Sequence, residues 1–169
     1  MIPYSFLSRF VATALLALVA AGSASLVLAQ AQKADPRDAA TIQDCLKQNA
    51  GEGPRDKVCI GLIAEACVKE PKHESAAAAV TCHVRERLVW DDIVVKTFEQ
   101  LRLKVDDMQW VKLRDMQRKW NEGLKQTCEF YWEFSRGTAA SPLSEACYRR
   151  ETARRALYLL YFLDNAGKR

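Results

Sequence analysis

Six cysteines, two histidines and two Asp-Asp pairs are the residues of this chain with the most chemistry to offer. Cys45, Cys59, Cys67, Cys82, Cys128 and Cys147 could be metal ligands, nucleophiles or disulfide partners. Their spacing speaks against metal: no C-x-x-C is present, and His73 and His83 lack the spacing of a helical ligand pair. A cysteine nucleophile needs a free thiol beside a base, and an even count in an exported chain leaves none over once three bridges form. Asp91-Asp92 and Asp106-Asp107 bring to mind the paired carboxylates of glycoside chemistry. Adjacent residues on a helix diverge by about 100°, so neither pair faces itself across a substrate. These acids read as solvated, with Asp106 or Asp107 capping a helix. There is no G-x-S-x-G, H-E-x-x-H, C-x-x-C-H or phosphate-cradling glycine loop. The expectation is a protein that is not an enzyme and needs neither cofactor nor metal.

Pairing of the cysteines requires an oxidising compartment, and the N-terminus points to one. Arg9 precedes an apolar run, "FVATALLALVA" (10–20), and small residues lead to Val27 and Ala29 at the −3 and −1 positions of a cleavage site. That is the layout of a signal peptide, here 1–29. Residues 10–29 are also about long enough to span a bilayer, so an uncleaved anchor stays open, and with it the one route to membrane contact. No lipobox cysteine follows the run. The expected location is periplasmic or secreted. Residues 30–39 read as a flexible tail and 40–164 as a single domain, large enough to bury its own core. Apolar residues make up 49% and charged residues 27% of the chain, which fits a globular domain rather than a disordered one. Removing Arg9 with the leader lowers the net charge from +4 to +3, too little for a nucleic-acid-binding surface.

The elements that must position these residues are helical. Asp35 as cap, Pro36 in the first turn and Gly51 as stop frame one helix. A second fits 55–69, closed by Pro71. A third runs over 75–105 behind Ser75, with Trp90, Val94, Phe98, Leu101 and Val105 in an apolar stripe. The fourth, about 107–134, carries Trp110, Leu113, Gln117, Trp120, Leu124, Cys128 and Tyr131 on one face. After a loop at "SRGTAASP", a fifth starts at Ser141-Pro142 and continues to about Asp164. The fold class is therefore all-α: a small bundle of about five helices stapled by three disulfides. Six cysteines allow fifteen connectivities. In helical hairpins, residues on either side of a turn can meet, which favours Cys45–Cys59, Cys67–Cys82 and Cys128–Cys147 over the other pairings.

Within the stripes, Trp90 and Trp120 read as core, and Gly123 suggests a close helix approach. Phe130, Tyr131 and Trp132 cannot all turn inward from consecutive helical positions. One exposed aromatic beside Arg136 would suit a protein-binding patch. "CYRRETARR" (147–155), with Arg149 and Arg150, reads as a solvated face or as a surface for an anionic partner.

Taken together, these blocks resemble the N-terminal domain of the lysozyme inhibitor LprI-like family, over roughly 40–160. "CIGLIAEAC" (59–67) is similar to the family's C-I-G opening, with a cysteine eight residues on. Cys82, Glu86, Trp90-Asp91 and Phe98 resemble its second block. Gln117, Arg118 and Trp120, followed by Cys128, resemble its Q-R-x-W block, and Thr152 with Arg155 its closing T-x-x-R. Leu124-Lys125 stand where the family usually has Arg-Asp, and Val95 and Phe98 where Asn and Tyr are common. Those replacements alter a contact surface or repack a core. The resemblance implies an envelope protein that blocks lysozyme or a related glycosidase by binding, with the motif residues mainly architectural. Complementary charge would favour an acidic inhibitor of a basic lysozyme. On a net +3 chain, that role falls to local acids such as Glu129, Glu133 or Glu145. The alternative reading is a structural or stress-related envelope module that meets anionic surfaces through its Arg-rich last helix.

Overall fold

In the computed structural model, which describes residues 32–50 and 55–168, every element longer than a turn is an α-helix. The leader read from the sequence lies outside the described residues. Asp35 caps α1 (Pro36–Gln48) by accepting the Arg37 N–H at 2.8 Å, and Pro36 fills the first turn, where its missing donor costs nothing. Residues 36–39, read both as the end of a flexible tail and as the first turn of this helix, are helical. Asp38 is buried there and ion-paired with Arg85, and Ile42 is fully enclosed.

The helix expected over 55–69 is two pieces, α2 (Arg55–Val58) and α3 (Leu62–Val68). Gly61 divides them at φ 100°, a left-handed conformation that side chains resist. A Cβ at that position would also lie 2.3 Å from Glu65 Oε1 and 3.0 Å from Arg149 Nη1. A short 3₁₀ turn, Pro71–His73, leads to α4 (Ala76–Arg102), whose cap Ser75 accepts from the Ala78 N–H. α4 stops three residues before the expected end. α5 (Asp107–Phe134) opens with a capping box: Asp106 accepts from Gln109 N–H at 2.8 Å, and Gln109 Oε1 accepts from Asp106 N–H at 3.2 Å. Gly137–Ala139, within the segment read as a loop, form a 3₁₀ turn, and α6 runs Ala140–Asn165. Among the described residues, no helix is long and apolar enough to cross a membrane.

α6 lies between α4 and α5, and α3 packs on α4. Ala153 and Ala156, both fully buried, let α6 approach α4 closely. The core they seal contains Ile42, Ile63, Val89, Trp90, Val94, Leu101, Leu113 and Leu159. The expected stripe of α4 is therefore the core face, with Phe98 and Val105 packed at its edge. The disulfides join Cys45 to Cys59, Cys67 to Cys82 and Cys128 to Cys147, each across one turn of the chain. Closing such short loops stabilises the fold by roughly 3 kcal/mol per bridge in the chain-entropy account.

Candidate functional site

Three groups of side chains concentrate the polar and aromatic chemistry of the chain. The first is built around Glu86, which is 0% exposed. α4 carries it beneath the start of α3, where the break at Gly61 leaves backbone donors without helical partners. Glu86 Oε1 accepts from Gly61 N–H (2.7 Å) and from the Trp90 indole N–H (3.0 Å). Oε2 accepts from Ile63 N–H (3.1 Å) and Ala64 N–H (2.8 Å). Arg149 of α6 supplies the counter-charge, with Nη1 at 3.4 Å from Oε1. The family-block residues Glu86 and Trp90 are thus one hydrogen-bonded unit buried in the core. Arg149, expected on a solvated or partner-binding face, is turned inward to complete it. Beside this unit, burial and the Arg149 charge hold His83 below its ordinary pKa.

A second group lies midway along the α5–α6 seam and joins two sequence blocks far apart in the chain. Arg155 Nε donates to Gln117 Oε1 at 2.8 Å, and its guanidinium lies 5.7 Å from the Trp120 ring centre and 5.5 Å from that of Tyr158. Trp120 is only partly buried rather than in the core as expected, and it faces the Arg155 guanidinium. Burial pushes the Arg155 pKa down. Arg118 points outward to Asp115 and Glu122, while Thr152 is buried in α6. At Gly123, nothing lies within 4 Å of where a Cβ would stand, so the close helix approach expected there is absent.

The third group is the C-terminal end of α5. Phe130, Trp132 and Phe134 are 60, 53 and 75% exposed, while Tyr131 turns partly inward. Phe130 and Phe134, one turn apart, stack with ring centres at 6.2 Å. Glu129, Glu133 and Arg136 are exposed around them, whereas Glu145 is tied to Arg87 at 3.3 Å. Arg150 shares Glu151 with Arg154.

The acid pairs separate as helical geometry requires. Asp91 accepts from Arg87 and Asp92 from Lys96; burial raises the Asp91 pKa. Asp106 caps α5, and Asp107 pairs with Arg102. Cys67, His73 and Cys82 converge, but the two sulfurs are bonded to each other and the imidazole Nδ1 lies 2.9 Å from the Cys67 carbonyl oxygen. A disulfide sulfur is not the thiolate a metal would need.

The sequence model of the lysozyme inhibitor LprI family matches residues 67–159. The chain belongs to that family. No curated protein and no solved structure matches it. The LprI match takes in the Glu86–Trp90–Arg149 unit, the Gln117–Trp120–Arg155 seam and two of the three disulfides. It begins after α1, α2, Gly61 and the Cys45–Cys59 bridge, a narrower span than the resemblance suggested. Of the two replacements within α4, Phe98 packs against Trp110 at 4.7 Å and is a repacked core position. Val95 is exposed and changes the surface. Two features escape sequence reading: the inward turn of Arg149 and the open flank at Gly123. Only the packing partners reveal either one.

Proposed function

We propose that the chain is an exported binding protein that inhibits a lysozyme-type glycosidase by seating the end of α5 against the enzyme, with no chemistry of its own. LprI is an inhibitor family rather than an enzyme family, which supports the class. The observation that carries the site is the exposed trio Phe130, Trp132 and Phe134 at one helix end, with Glu129 and Glu133 between them. Large aromatics on a rigid element supply contact area at little entropic cost, and Trp is prominent among residues that dominate binding energy. Glu133, with Glu129 beside Lys125, places negative charge next to these rings, the complement of a basic glycosidase. Arg136, two residues after Phe134, is exposed as well.

Three disulfides fit an extracytoplasmic, oxidising compartment. With cleavage of the leader at 1–29, the working protein is a single domain, from α1 at Pro36 onward, in the periplasm or outside the cell. Contact with anionic surfaces through α6 has little to recommend it, since Arg149 and Arg155 are buried and Arg150 and Arg154 share Glu151.

A turbidity assay of cell-wall lysis tests the proposal against hen-type, goose-type and invertebrate-type lysozymes. Dose-dependent protection is expected, weakened at least 10-fold in a Trp132→Ala, Phe134→Ala double variant whose unfolding midpoint is unchanged. Lysis that proceeds at full rate for all three enzymes at large molar excess overturns it.

A further inference from the structure

The seam between α5 and α6 contains a cation without a counter-ion. Arg155 is 7% exposed, yet among the described residues no carboxylate stands within ion-pairing distance of it. The nearest acid along the helix on that side, Glu151, is taken by Arg150 and Arg154. Gln117 accepts from Nε only, and Nη2 has no hydrogen-bond partner. Burying a charge is costly unless it is paired, and an apolar side chain of similar length would close the seam without that cost. The guanidinium is nevertheless held by Gln117 and lies within cation–π distance of two rings, Trp120 and Tyr158, both reached by solvent; Tyr158 is 45% exposed. A planar fork fixed at one N–H, with other N–H groups free and two aromatic rings beside it, is an arrangement that can receive a carboxylate on a ring-bearing body.

We propose that the α5–α6 seam at Arg155 is a binding site for the carboxylate of a small, ring-bearing acid, with Gln117 orienting the guanidinium and Trp120 and Tyr158 enclosing the ring. Parting of these two side chains admits the ligand to the free N–H edge. Such movement is local, because neither ring belongs to the buried core. The site is separate from the aromatic end of α5: Trp120 and Trp132 are about 18 Å apart along the helix axis at 1.5 Å per residue. It stands independently of the inhibitor reading and would survive that reading's failure.

Isothermal titration of the disulfide-intact protein tests it with three probes: benzoate, N-acetylmuramic acid and N-acetylglucosamine. The expected result is saturable binding of at least one of the two acids and none of the neutral sugar. Binding of both acids marks a general ring-acid site, and binding of the amino-sugar acid alone marks a glycan source. Arg155→Met, which keeps the length and removes the charge, should weaken acid binding roughly 10- to 100-fold, the worth of a charge-assisted hydrogen bond. Its thermal midpoint should stay level or rise, since an uncompensated buried charge has gone. Heat absent for both acids in the unmodified protein overturns the proposal, whatever the variant does. Equal binding of the neutral sugar, or undiminished acid binding by Arg155→Met, overturns it too.

Discussion

Replacing Glu86 by Gln changes one atom of the side chain, yet the structure makes it among the costliest single substitutions available. Both carboxylate oxygens are acceptors only: Oε1 faces the Gly61 and Trp90 N–H groups, and Oε2 faces those of Ile63 and Ala64. A carboxamide has one oxygen and one NH₂. Whichever way it flips, its NH₂ meets two donors and leaves both unsatisfied in a site with no access to water. Arg149 simultaneously loses its buried counter-charge, because Glu65 stands 4.0 Å away and is largely solvated. Breaking one side of a buried ion pair costs about 3–5 kcal/mol. Total stabilities are of the order of 5–15 kcal/mol, so Glu86→Gln should remove at least about a fifth of the total. Arg149→Met is expected to cost less, about 1.5–3 kcal/mol, because the carboxylate keeps its four N–H donors. The double variant should lose less than the sum of the two. Equilibrium denaturation with intact disulfides, followed by far-ultraviolet circular dichroism, supplies all three values. A loss below about 1 kcal/mol for Glu86→Gln at unchanged m would refute the assignment of Glu86 as the acceptor that holds α3 to α4.

Other perturbations follow from the same geometry. Gly123→Ala in α5, where nothing obstructs a Cβ, should stabilise the protein by up to about 1 kcal/mol, read as a higher denaturation midpoint. Arg136 holds φ 46°, a region that favours glycine, so Arg136→Gly should raise stability by a fraction of the roughly 1–3 kcal/mol such strain costs. His83 has its folded pKa lowered, first by burial and then by Arg149. Below about pH 6.5 the unfolded chain therefore takes up a proton that the folded one resists. Stability should fall as pH drops through that range and level off below the folded pKa; in His83→Gln this component of the pH profile should vanish.

What the sequence revealed and what it hid divide along a physical line. Asp35, Ser75 and Asp106 cap helices through local geometry, and the stripe from Trp90 to Leu101 needs only helical periodicity. The pairing of neighbouring cysteines across turns is local in the same sense. Arg149 and Arg150, by contrast, look alike in sequence, and only the position of Glu86 on another helix sends one inward and leaves the other partly exposed. Trp120 shares a stripe with Leu113 and Cys128, yet the residue opposite it is Arg155, so it stacks on a cation instead of entering the core. Gly61 could be read as a helical glycine until its N–H is seen donating to Glu86. In each case the deciding partner lies at least twenty residues away, beyond what periodicity or spacing carries.

That distance also bears on where the domain begins. The LprI match opens at Cys67, but all three backbone hydrogen bonds to Glu86 come from Gly61, Ile63 and Ala64, which precede it. The buried partner of Arg85, Asp38, and the core residues Ile42 and Ile63 precede it as well. A fragment spanning 67–168 would keep the buried carboxylate and the cation facing it while removing most of the groups that make their burial tolerable. It would also open the α4 face on which α3 packs. Such a fragment should therefore lack cooperative unfolding and the near-ultraviolet dichroism of a packed Trp90. The full chain with Cys45→Ser and Cys59→Ser keeps every one of those contacts and loses only a cross-link worth roughly 3 kcal/mol. It should unfold cooperatively at a lower midpoint. If the fragment instead melts as sharply as the full chain, the N-terminal helices are an appendage to the family domain rather than part of its folding unit.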